Sequence, residues 1–160
     1  MLHKYGAEQE ALSRGVATEA WVLLHYRFPA RPSARRVYVW RKLRGLGAVL
    51  LQDGVWVLPA TPRTREHFVW LAAEITELGG TAHAWQGALL HPPESAALRA
   101  QVVAAVETEY QEILDALQDP AADPRALSRR YVLARRRDYF DSPLGRAVRA
   151  ELLRRGQEDA

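Results

Sequence analysis

Apolar residues along this chain alternate in some stretches and recur every three or four positions in others, and each change of period marks an element. From Trp21 to Phe28 the run WVLLHYRF is rich in aromatic and branched residues and is closed by Pro29 and Pro32, which predicts a strand. Ser33 then reads as a helix N-cap. The residues after it put Val39, Leu43 and Leu46 on one face with Trp40 beside them, and Gly45 and Gly47 are expected to end that helix. AVLLQ and VWVLP flank Asp53-Gly54, a tight-hairpin signature; a type I′ turn would need positive φ at both central residues. Thr61-Pro62 reads as a cap followed by a first-turn proline. Phe68, Leu71, Ala72, Ile75 and Leu78 follow at the spacing of an amphipathic helix, which Gly79-Gly80 should close. Alternation from Thr81 to Trp85 (TAHAW) predicts a fourth strand.

Two strands joined through a helix in each half, with a hairpin between the halves, is the ferredoxin-like βαββαβ arrangement. It is an α+β fold in which both helices cover one face of an antiparallel sheet. In the first strand Val22, Leu24, Tyr26 and Phe28 would face the helices, and Trp21, Leu23, His25 and Arg27 would face the other way. That second face is too apolar to stay wet, so something should cover it. The C-terminal half offers candidates. From about Glu94 to Gln118, Val103, Val106, Tyr110, Ile113 and Leu117 form a seam suited to a helical hairpin or a dimer contact. Asp119-Pro120 and Asp123-Pro124 break it. A second helix is expected from about Pro124 to Phe140, carrying Leu127, Tyr131 and Ala134, and a third from Ser142-Pro143, carrying Leu144, Val148 and Leu152. The expected organisation is a flexible or helical segment at 1–19, a ferredoxin-like domain at 20–90, and a helical extension at 91–160 that packs on the core.

Composition narrows the function. Without cysteine there is neither a disulfide framework nor a thiolate metal site. No stretch approaches the roughly 18 apolar residues of a membrane span, and the charged start MLHKYGAEQEALSRG lacks a signal peptide's apolar segment. A cytoplasmic location is expected. The five histidines make no H-x-x-x-H or H-E-x-x-H pair, the serines have no G-x-S-x-G context, and no phosphate-binding glycine loop is present. No catalytic residue, metal or cofactor is expected, and the chain does not read as an enzyme. Acidic pairs such as Glu107 and Glu109 read as solvated surface, and the five tryptophans, spread over all elements, read as core packing. His25 and His83 could meet, since the first and last strands of this fold are neighbours, and with Arg27 they would make an oxyanion pocket. The alternative is that both histidines lie half-buried beneath covering helices.

The formal charge of +3 is mild, but its layout is not. No acidic residue lies between Glu19 and Asp53, where Arg27, Arg31, Arg35, Arg36, Arg41, Lys42 and Arg44 all fall. Glu107, Glu109, Glu112, Asp115 and Asp119 collect later. Such segregation makes a positive face suited to anionic partners, nucleic acid among them. Only Lys4 and Lys42 among 22 basic side chains are lysines, a skew that genome composition alone can produce. Both readings of the basic face stand at this level. Arginines match phosphate geometry by bidentate hydrogen bonding, which positions a protein without reading sequence.

The pieces P-x-x-P-S-x-x-R-V at 29–37, W-R-x-L-x-x-L-G-A at 40–48 and Q-D-G-V-W-V-L-P at 52–59 resemble the N-terminal domain of the ChrB family, regulators of bacterial chromate resistance. E-Y-x-E-I-L at 109–114 and R-D-Y-F at 137–140 resemble it as well, so the likeness covers about 20–145. It implies transcriptional regulation linked to chromate, with DNA contact by basic residues that correspond here to Arg31, Arg35, Arg36, Arg41, Lys42 and Arg44. Independently of the likeness, chromate or another oxyanion is an expected partner for His25, Arg27 and His83, and a homodimer is expected. Longer family members carry a second, C-terminal domain that these 160 residues are not expected to contain. At fold level the chain is also similar to small CRISPR adaptation subunits and to the C-terminal part of PaaX-type repressors. The nuclease-like members have an acidic residue after the tyrosine of the first strand, where Arg27 stands here. The remaining alternative is a non-enzymatic protein-interaction module.

Overall fold

The computed structural model describes residues 19–29 and 34–158, so Ser33 and Arg31 lie outside the described residues, as does the segment at 1–19 apart from Glu19. Strands β1 (Trp21–Arg27), β2 (Val49–Gln52), β3 (Val55–Pro59) and β4 (Thr81–Gly87) alternate with helices α1 (Ala34–Gly45) and α2 (Pro62–Glu77) in the order β1-α1-β2-β3-α2-β4. The sheet order is β2-β3-β1-β4, antiparallel throughout, as the ferredoxin-like arrangement requires. Three helices follow: α3 (Pro92–Ala116), α4 (Pro124–Arg135) and α5 (Pro143–Glu158). The fold is α+β. Among the described residues no helix is long and apolar enough to cross a membrane.

Alternation in β1 sends Val22, Leu24 and Phe28 into a core with Val39 and Leu43 of α1 and Phe68, Leu71 and Ile75 of α2. Full burial of each such side chain stabilises by about 1.5–3 kcal/mol before the cost of ordering. The start of α2 has the capping its sequence suggests. Thr61 Oγ1 accepts from the Thr64 amide at 3.1 Å, and Thr64 Oγ1 accepts from the Thr61 amide at 2.8 Å. Phe28 lies just past β1, one residue beyond the strand's end.

The hairpin differs from expectation in its turn. Gly54 has φ 74°, but Asp53 does not adopt positive φ, so the turn is not type I′. A turn without the primed twist does not match the flanking strands. The β2–β3 pairing accordingly shifts register between Leu50 and Gln52. Glycine is required at 54 for a second reason: an added Cβ would stand 2.4 Å from the Tyr26 carbonyl oxygen, close to where the Tyr26 amide donates to the Gly54 carbonyl.

The opposite sheet face is covered over part of its area. Trp21 and Val57 are buried against Leu98 and Val102 of α3, and the Trp21 indole N–H donates to Ser95 Oγ at 3.1 Å. One turn further along, α3 changes partners. Val106, Tyr110, Ile113 and Leu117 pack with Leu127 and Ala134 of α4 and Val148 of α5 in a separate helical core. Helix α4 stops at Arg135 rather than near Phe140, because 137–140 leaves the helix to bind four different partners. Arg137 pairs with Glu109, Asp138 accepts from Tyr110 Oη at 3.1 Å, Tyr139 Oη donates to the Leu46 carbonyl at 2.6 Å, and the Phe140 ring meets Trp21 edge-on. Glu107 accepts from Ser142 Oγ at 2.7 Å. The Glu107/Glu109 pair is therefore structural, not free surface. Three of the five tryptophans also depart from the core-packing expectation: Trp40, Trp70 and Trp85 are 49%, 69% and 64% exposed.

Asp138 is a buried carboxylate that also accepts from the Ser142 amide at 3.0 Å. Asp138→Ala should lower unfolding free energy by about 3 kcal/mol in denaturant titrations, because the Tyr110 hydroxyl and the Ser142 amide lose their acceptor inside the protein. Burial first, and then the negative charge of Asp138, push the Tyr110 phenol well above its ordinary value of 10.0. Folding thus favours the protonated phenol. That stability is complete below about pH 10 and is lost as pH rises through the folded value. Tyr110→Phe should flatten the alkaline fall of stability, measured as denaturation midpoint against pH.

Candidate nucleic-acid interface

The arginine-dense helix α1 lies on the outside of the sheet's helical layer, with Val39 and Leu43 inward and its cations outward. Its expected contact residues divide by what they touch. Arg35 reaches the C-terminal end of α2 and donates to the Leu78 carbonyl at 2.5 Å. Arg36 donates to the Phe28 and Pro29 carbonyls at 3.2 Å, holding the chain where it leaves β1. Lys42 pairs with Glu74 of α2 at 2.6 Å, and Tyr38 Oη donates to the same carboxylate. The hydrogen bond to Glu74 holds the Lys42 ammonium above its ordinary value, and its counterpart holds the Glu74 carboxyl below its own. Arg41 and Arg44 differ. Neither has an ion-pair partner among the described residues, and Arg44 sits over the Trp40 ring at 5.9 Å. Of the six expected contact residues, two therefore point to solvent unneutralised, three bind other elements, and Arg31 is outside the described residues.

The second expected group comes together in part. His25 and His83 are direct cross-strand partners on β1 and β4, and Arg27 faces Thr81 two residues along. All three side chains are exposed. The half-buried alternative for the histidines therefore does not hold, because α3 covers only the Trp21 end of this face. An open groove of about 600 Å³ runs beside them, lined by His25, Arg27, Arg36 and Asp53, without His83. Among the described residues no group of three or more histidine, aspartate or glutamate side chains could hold a metal ion.

Sequence reasoning missed Arg63 and Arg136. Arg63, in the first turn of α2, donates to the Arg136 carbonyl at 3.4 Å although the two are 73 positions apart. No local spacing could have linked them.

The family model described as "Protein ChrB, N-terminal" matches residues 36–123, more than half of the chain. The chain belongs to the ChrB N-terminal family. Protein ChrB of Cupriavidus metallidurans is 36% identical over 61 residues, which is 38% of this chain and 19% of that protein. The match thus spans about a fifth of the length of that curated relative. No solved structure matches. The ChrB-family segment includes α1 from Arg36 onward, strands β2, β3 and β4, and the whole of α2 and α3.

The geometry separates structural from free arginines by a measurable criterion. Arg35→Ala and Arg36→Ala should each lower the melting temperature by a few degrees, on the order of 1 kcal/mol, since each removes hydrogen bonds to backbone carbonyls. Arg41→Ala and Arg44→Ala should leave it unchanged within about 0.5 kcal/mol.

Proposed function

We propose that this ChrB-family chain is a non-enzymatic, cytoplasmic transcriptional regulator linked to chromate resistance, which holds DNA by its phosphates and acts as a homodimer. The observation that carries the reading is the free pair of guanidinium groups on α1. Arg41 and Arg44 face solvent in a helix that has no carboxylate of its own, and Glu74 across from it is already neutralised by Lys42. Cations fixed on a rigid helix and left without partners are suited to phosphate contact, and such contacts place a protein on a duplex without reading bases. Arg35, Arg36 and Lys42 support the surface indirectly by anchoring α1 to β1 and α2.

Gel-shift titration against DNA from upstream of the protein's own gene tests this. Binding should weaken linearly in log–log plots against salt, with a slope of about −0.9 per phosphate contacted. Arg41→Glu with Arg44→Glu should abolish the shift while melting temperature holds. No shift by the native protein at about 50 mM salt, where electrostatic contacts are strong, would remove the reading.

The paired, exposed histidines favour one second reading, an oxyanion site. His25, His83 and Arg27 share one sheet face, and Arg36 borders the adjoining groove. Chromate, sulfate or phosphate bound there would raise the melting temperature with concentration. Indifference to all three at matched ionic strength would rule the site out.

A further inference from the structure

The unneutralised arginines of this protein do not end with α1. Where the C-terminal end of α1 meets the start of α2 and the turn after α4, two adjoining clefts of about 430 and 540 Å³ open along the seam between sheet domain and helical tail. Both are bordered by Arg63, Arg136 and Tyr139. Arg137 lies over Gly47 and separates these clefts from a third that Arg44 lines.

The charges along this seam are unequal. Arg137 is matched by Glu109, and Arg135 by Asp138 and Asp141. Arg44, Arg63 and Arg136 have no carboxylate partner among the described residues. Arg63 Nε donates to His67 at 3.2 Å and one of its Nη groups to the Arg136 carbonyl, which fixes the guanidinium at the mouth of the cleft. Among the described residues, the only carboxylate on the walls of the two clefts is that of Asp138, which is buried and hydrogen-bonded to Tyr110 and Ser142. A guanidinium held in place, beside a second one and away from any free carboxylate, is the arrangement that binds a tetrahedral oxyanion bidentately.

We propose that Arg63 and Arg136 form a phosphate-binding cleft at the seam between sheet domain and helical tail, separate from the free cations of α1. The ligand is a tetrahedral phosphate oxyanion, supplied by a nucleic-acid backbone or as the free ion. The nucleic-acid source rests on the DNA-binding reading given above; the cleft itself does not. In duplex binding, the seam adds a second contact to that of α1. It also ties the position of the helical tail to the partner, since Arg136 follows α4 directly.

Two measurements on the whole chain test it. The first is fluorescence anisotropy of a labelled duplex with the native protein and with Arg63→Gln/Arg136→Gln, over a range of salt. The double variant should reduce the steepness of log K against log salt by about two, one for each contact removed. A native slope retained by a folded double variant overturns the seam as a DNA contact and leaves the role of Arg41 and Arg44 intact. The second is NMR of the arginine Nε–Hε groups during titration with inorganic phosphate, with chloride at matched ionic strength as control. Saturable shifts of Arg63 and Arg136 with phosphate alone, without duplex binding, would assign the cleft to the free ion. If neither the slope nor these resonances respond, the cleft is not a phosphate site. Arg136→Gln alone guards against misfolding, because no hydrogen bond or ion pair of its side chain supports the fold among the described residues.

Discussion

The buried carboxylate of Asp138 is the point on which the two parts of this protein depend. An ionised group away from water is costly unless its oxygens are occupied, and here they accept from the Tyr110 hydroxyl, the Ser142 amide and the Arg135 guanidinium. Meeting that requirement draws α3, α4 and the start of α5 together at one place. The residues on either side extend the junction: Arg137 to Glu109, Tyr139 to the end of α1, and Phe140 to Trp21 of β1. Asp141, next in line, takes φ 52° so that the chain can turn back into α5, a conformation aspartate tolerates better than most residues. Four consecutive side chains thus tie α3, the end of α1 and β1 to one stretch of chain.

That junction explains how one long helix serves two cores. The first turns of α3 bury Trp21 and Val57 under Leu98 and Val102, and its later turns belong to the helical bundle. Because α3 leaves the sheet after one end is covered, β1 and β4 keep an open stretch with His25, His83 and Trp85. The strands follow the same division, with Trp21 and Leu23 at the covered end and His25, Arg27, Thr81 and His83 at the open one.

The same geometry sorts the arginines. Those at the start of α1 complete the hydrogen bonding of neighbouring chain ends, whereas Arg41 and Arg44 have no ion-pair partner among the described residues. Basic composition is therefore uneven in effect. Arg35 and Arg36 bind backbone carbonyls, Lys42 binds Glu74, and Arg41 and Arg44 are left facing solvent.

Local pattern alone determined the elements and their order. Period-two runs, the Thr61-Pro62 cap, the Asp53-Gly54 hairpin and the apolar stripe of α2 each express a preference that a few neighbouring residues settle, and four strands with two helices admit few sheet orders. The ChrB likeness was legible for the same reason, since its blocks at 29–59 are contiguous. The E-Y at 109–110 and the R-D at 137–138 were visible only as separate short matches. The tertiary structure made them one junction, because side chains 28 positions apart meet only after α4 folds back on α3. Likewise, nothing in the sequence told Arg35 from Arg41, exposed Trp40 and Trp85, or brought Arg63 to Arg136. Whether a cation is neutralised, or a ring covered, depends on which distant carboxylate, carbonyl or helix arrives beside it, and that is decided by packing rather than by spacing along the chain.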